Sequence, residues 1–156
     1  AGYYVNGVLA RWPRAAISIR DGETYVRAGS AATQDLATAD LAVKNVFIGE
    51  SAAPFQSGGS STQNPLDLAG NAITSNTTAT ASLFTAFPTT VDATTTAAAF
   101  DWTPAASSPL ASGGLTAFTG KLGTAADAFV TGTSYVGAAE PGGSKWWQGW
   151  TVYARN

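Results

Sequence analysis

The octapeptide Leu41 to Ile48, LAVKNVFI, constrains the chain more than any other stretch. Leu41 and Val43, then Val46 and Ile48 after a shift of phase at Asn45, are apolar and mostly β-branched, with Lys44 and Asn45 interrupting them. This is the pattern of a strand with one face in a core. So short a strand carries backbone donors and acceptors along both edges, so other segments must pair with it on each side. Tyr3 to Leu9, Ala15 to Arg20 and Glu23 to Arg27 are the candidates.

Composition sets the surroundings of that strand. A chain of 156 residues, 45% of them apolar, is expected to form a single domain with a real core. Only 12% of its residues are charged, so the surface falls to Thr, Ser, Gly, Asn and Gln, which suit turns and exposed strands. A net charge of −2 gives no reason to expect a nucleic-acid partner. The chain has no Cys and no His. Disulfides, thiolate nucleophiles, the Ser-His-acid triad and nearly all common zinc, copper and non-haem iron sites are thereby excluded. Met is absent as well, even at position 1, so the chain reads as a processed product or a fragment. Lacking its most oxidisable side chains, it suits residence outside the cell. No run of eighteen apolar residues offers a membrane-spanning helix.

In chain order, Tyr3, Val5, Val8 and Leu9 flank Asn6-Gly7, which fits either a hairpin turn or a bulge within one strand. Ile17 and Ile19 alternate with Ser18 and Arg20 as a strand; Asp21-Gly22 reads as a turn, and Thr24 to Arg27 as a further short strand. Residues 57–88 form a helical and loop insertion. Within it Ser57 to Gln63 is an exposed loop, and Asn64-Pro65 with Asp67 starts a short helix that places Leu66, Ala69 and Ile73 on one face. Ala79 to Phe87, stopped by Pro88, fits a second helix. Asn76-Thr77-Thr78 has the form of a glycosylation sequon, which makes Asn76 a possible acceptor. Extended structure returns at Ala97 to Trp102 and at Ala128 to Val136, and an aromatic segment at residues 144–156 closes the chain.

The succession RAAISIRD, DLAVKNVFIGE, FDWTPAASSPL, TSYVGAA and WWQGWTVYARN resembles the C-terminal part of a large group of secreted bacterial surface proteins of Bacteroidota-like and Gemmatimonadota-like lineages. The most specific part is the ending, Tyr-x-Gly-Ala at Tyr135 to Ala138, a turn, then Trp-x-x-Gly-Trp at Trp146 to Trp150. The resemblance implies a mainly β fold, a β-solenoid of the right-handed parallel β-helix type, with one or two short helices packed on its side. It also implies a secreted or cell-surface location and no assigned activity. Members are usually longer, with further coils ahead of the part seen here.

A solenoid's terminal coil presents unsatisfied backbone groups, which something must cover. At the C-terminal end Trp146, Trp147, Trp150 and Tyr153 are suited to fold over the stack. At the other end Tyr3, Tyr4 and Val5 carry no obvious cover and offer a template for strand addition from another chain. The sequence therefore leads us to expect a non-enzymatic extracellular structural protein that self-associates through these residues into a homo-oligomer or filament. A carbohydrate-binding or adhesive module is the alternative, with Trp12, Trp102, Trp146, Trp147 and Trp150 as stacking platforms for glycans. A β-helix lyase or hydrolase is the third reading, disfavoured by scattered carboxylates: Asp21 and Glu23 flank a turn glycine, and Asp35 and Asp40 sit in a loop; Arg11, Arg14, Arg20 and Arg27 could bind an anionic sugar but read as a solvated face. No catalytic residue, metal ligand or cofactor is expected.

Overall fold

The computed structural model describes residues 2–29, 37–56, 70–76 and 79–148. The first pass of chain holds β1 (Gly2–Val5), β2 (Val8–Ala10) and β3 (Ala15–Ile17), followed by helix α1 (Gly22–Ala28). The second holds β4 (Leu41–Lys44), β5 (Phe47–Gly49) and β6 (Ala53–Phe55), and β7 (Thr74–Asn76) follows. The two passes pair in parallel. Gly2 lies opposite Leu41, Val8 opposite Phe47 and Ala15 opposite Ala53, and β7 adds to the far side of β5 with Thr74 opposite Phe47.

The phase shift at Asn45 is a corner. LAVKNVFI is two strands, β4 and β5, separated by Asn45 at φ 52°. Asn6 occupies the equivalent place between β1 and β2 at φ 53°, so the Asn6-Gly7 pair is neither a hairpin turn nor a bulge. Asn is among the few L-residues that enter the left-handed region routinely, because its short polar side chain finds partners locally. A second stacked corner follows, Arg11 at φ 58° beside Glu50 at φ 48°. Turning at Asn45 lets β5 bury both of its faces. Val46 and Ile48 join Ile19, Ala28, Val43 and Ile73 in one core cluster, while Phe47 packs with Leu83, Leu110 and Val136 in another.

The fold is not the expected β-solenoid but a small mixed α/β arrangement of two helices and several short sheets. A solenoid propagates because each coil presents the same edges to the next. Here, among the described residues, only β5 acquires a third strand, and every other sheet stops at two. Beyond Asn76 the pairing changes sense: β8 (Phe84–Ala86) runs antiparallel to β9 (Asp101–Pro104), with Phe84 opposite Pro104.

Several local expectations are corrected too. Thr24 to Arg27 lies in α1, because Asp21 is a helix N-cap rather than the first residue of a turn. Its Oδ1 accepts the Thr24 N–H at 2.8 Å, Glu23 sits in the first turn, Arg27 in the last, and Gly29 at φ 74° ends the helix. Ala79 to Phe87 is a single 3₁₀ turn, Thr80–Ser82, leading into β8. Ala128 to Val136 forms no strand, and helix α2 (Gly120–Ala126), which buries Leu122 and Ala126, precedes it unannounced. The expected helix from Asn64 lies outside the described residues apart from its last residues, Gly70 to Ile73, where Ile73 is buried ahead of β7. Among the described residues no helix is long and apolar enough to cross a membrane.

The last third returns to the first strand. Leu115 and Phe118 pack with Tyr3 and Val5 around Ala42 and Leu122. Asn6 fastens this cover: its Nδ2 donates to Leu115 O and Thr133 Oγ1, both at 3.1 Å, and its Oδ1 accepts the Leu115 N–H at 2.6 Å. Gly137 N–H donates to Asn6 O at 2.6 Å, and Asn45 Nδ2 donates to Gly113 O at 2.8 Å. The asparagine corners thus serve twice, turning the strands and docking the later chain. Side chains of Tyr3 and Val5 are thus covered by the later chain, while among the described residues β1 pairs with β4 alone.

Candidate functional site

Where the last third meets the outer edge of β1 and β2, it leaves a cleft of about 980 Å³. Tyr4 to Arg11 supply one wall, the β8–β9 pair a second, and Val130 to Ala139 with Trp146 and Trp147 a third. Alternation along β1 decides which tyrosine reaches it. Tyr3 turns away into the Leu115–Phe118 cluster, its hydroxyl donating to Ala39 O at 3.1 Å, whereas Tyr4 faces the cleft, 41% exposed. The Tyr4 ring lies flat over Gly7, where a Cβ would collide with it, and its hydroxyl donates to Val8 O at 3.3 Å. Partial burial raises the pKa of that phenol.

The second wall is an aromatic cluster. Phe84 meets Trp102 edge-on with ring centroids 5.3 Å apart, Phe87 meets Trp102 at 5.2 Å and Phe100 at 5.7 Å, and Phe100 stacks on Trp102 at 5.4 Å. The third wall is tied down from below. Lys145 Nζ reaches Asp101 Oδ2 at 2.7 Å, binding the segment that carries Trp146 and Trp147 to β9. Trp146 Nε1 donates to Ala138 O at 2.9 Å, which fixes an indole that is still 52% exposed, while Trp147 beside it is buried.

At the mouth, Arg11 lies with its Cζ 5.2 Å from the Phe87 centroid, and its Nε donates to Glu50 Oε2 at 3.1 Å. The same Glu50 oxygen accepts the Thr80 N–H at 2.6 Å. Hydrogen bonding from Thr80, with the Arg11 guanidinium alongside, holds the Glu50 carboxyl at about 2. Other carboxylates are also held below their ordinary range. Asp101 is pushed up by burial, but hydrogen bonds from Lys145 and Thr103 outweigh this; Asp40 is held down by Lys121, whose Nζ lies 2.6 Å away. Asp21 and Asp92 accept bonds from Thr24, and from Thr94 and Thr95, within their own turns. Among the described residues no cluster of acidic groups is arranged to hold a metal ion.

Of the residues singled out from sequence, the fold brings Tyr4, Val5, Trp102, Trp146 and Trp147 to one cleft, although they come from distant parts of the chain. Tyr3 packs away from it in the Leu115–Phe118 cluster, and Trp12, half exposed, is not part of its lining. Trp150 and Tyr153 lie outside the described residues, as does the sequon's Thr78, while Asn76 ends β7, half-buried. Arg11 was weighed only as one of four arginines, and Phe84 and Phe87 were not singled out. The sequence signal for the two rings was the Phe84–Phe87 pair ahead of Pro88, and nothing local links Arg11 to Glu50, 39 residues on. Compared with family models, with curated proteins and with solved structures, the chain shows no match.

Proposed function

We propose that the protein is a non-enzymatic extracellular binding module whose cleft takes a carbohydrate chain. One observation carries this reading: Tyr4, Phe87, Trp102 and Trp146 surround a space of about 980 Å³, large enough for several sugar rings. A pyranose presents an apolar C–H face that packs on an aromatic ring, while its hydroxyls stay in water at the open side. The state of the carboxylates favours binding over proton transfer. A glycosidase acid needs a raised pKa, and among the described residues the shifted carboxylates are lowered. The extracellular setting rests on the absence of Cys, Met and His, on the Thr- and Ser-rich surface, and on the resemblance to secreted bacterial proteins.

Calorimetry against soluble neutral and acidic oligosaccharides tests it. Binding to at least one member is expected, weakened about fivefold or more by Tyr4→Ala or Trp146→Ala, since each removes an exposed ring worth about 1 kcal/mol or more of stacking. Thermal stability should change little. No binding across the panel, or binding that neither variant alters, overturns the proposal.

Self-association is a second reading with its own observation: among the described residues β2 is paired along one edge only, and the other borders the cleft. A strand from a second copy adding there would give a homo-oligomer. In sedimentation velocity, growth with concentration that a cleft-filling oligosaccharide reverses is the expected result. A single species throughout removes this reading.

A further inference from the structure

We infer that the cleft selects an acidic sugar chain and that Arg11 is the residue that recognises its carboxylate; the inference rests on the carbohydrate reading above. Among the described lining residues Arg11 is the sole charged side chain, in a surround that is mainly apolar and aromatic with Asn6, Thr80, Thr131 and Thr133 as its polar members. Its direction is set by the fold, since the residue sits at a left-handed corner, φ 58°, which an arginine does not choose for itself. Two contacts then immobilise the guanidinium: Nε on Glu50 at 3.1 Å and the Phe87 ring 5.2 Å from Cζ. Both leave the two Nη groups without a protein partner among the described residues.

A guanidinium held in this way is half of a recognition pair. Its Nη–H groups match a carboxylate as a fork, and holding the plane in advance removes much of the ordering cost that a free arginine incurs. Glu50 sits outside the lining, so it orients the cation without occupying the ligand's place. A uronic acid meets both features at once, offering a C–H face to the rings and a carboxylate to Arg11. A neutral sugar in the same position would offer the Nη groups only uncharged acceptors, weaker than a carboxylate and unable to bind as a fork, which is how the site would discriminate.

The test pairs oligosaccharides of galacturonate, mannuronate and glucuronate with their methyl esters, which keep the ring faces and lose the charge. The native protein is expected to bind at least one acid about tenfold or more tightly than its ester at low salt, with a preference that shrinks as salt rises. Arg11→Gln should bring acid and ester together by weakening the acid alone. Glu50→Gln keeps an oxygen that can accept the Arg11 Nε–H but removes the competing negative charge, so it should keep or enlarge the preference; it carries the test should Arg11→Gln misfold, and loss of the preference in it would overturn the inference. Equal binding of acid and ester overturns this inference and leaves the carbohydrate reading standing. Arg11→Gln weakening both alike also overturns it, by showing a purely structural arginine. Binding of no acid and no ester removes the carbohydrate reading itself.

Discussion

Asn6→Ala is expected to destabilise the protein by about 3–4 kcal/mol, a large share of the margin by which a domain of this size is folded. Three side-chain hydrogen bonds are lost, to Leu115 O, Leu115 N and Thr133 Oγ1, each contributing about 1 kcal/mol. Alanine must also adopt the φ of 53°, at a cost of about 1 kcal/mol. Asn6→Gly separates these effects, because glycine accepts the backbone conformation but cannot make the bonds. Urea unfolding should place it about 1 kcal/mol above the alanine variant and still well below the native protein. Equal stability of the glycine variant and the native protein would show that the corner needs only its backbone, and that the last third docks without it.

Asp101→Ala is the second large effect expected. The Asp101 side chain is only 10% exposed, and it accepts the Thr103 N–H at 3.1 Å and the Thr103 hydroxyl at 2.7 Å besides pairing with Lys145. Its loss orphans a Thr103 N–H in a buried residue and frees the segment bearing Trp146. About 2–3 kcal/mol is expected, discounted because Lys145 is 38% exposed and water screens the ion pair. Acid should reproduce part of this. The folded-state pKa of Asp101 lies below its ordinary value, so its contribution is present above the usual carboxylate range and lost as pH falls through it. Glu50, held at about 2 against an ordinary 4.5, loses its contribution over that same interval. Stability should therefore be level above about pH 5 and fall below it, less steeply in Asp101→Ala. An identical acid slope in native and variant proteins would remove Asp101 from the account.

Local signals found most of the pairing segments in the first half of the fold but not its corners. The phase shift at Asn45 and the Asn6-Gly7 pair both mark left-handed corners, yet the first reads as an interruption within one strand and the second as a hairpin turn or bulge, because an asparagine interrupting apolar alternation looks the same in each case. Helix α1 was misread because Thr24, Tyr25 and Val26 favour strands individually, and the cap that overrides them, Asp21 with Thr24, looks like a turn when followed by glycine. The solenoid expectation failed for a different reason. Strand pattern shows which segments pair but not how many passes follow, and the Ala-, Thr- and Gly-rich stretch beyond Asn76 has no periodicity to say that pairing will turn antiparallel.

The site was half legible. Tyr4 drew attention as part of an uncovered edge, and Trp146 and Trp147 as a cap or as glycan platforms, but nothing local places them together, since Asn6 contacts that dock the later chain span 109 and 127 residues. Arg11 read as a solvated surface charge because its partner Glu50 lies 39 residues away, one pass further on.

Those same long spans set an order of events for a chain made or exported from its N-terminus. Strands β1 to β6 can pair as soon as the second pass is out, whereas the wall bearing Val130 to Ala139 arrives only near the end. Contacts of such separation pay their loop-closure entropy last in formation and regain it first in opening. The cleft is therefore a late product of synthesis. A nascent or partly unfolded molecule, however complete its parallel strands, would lack the cleft's third wall.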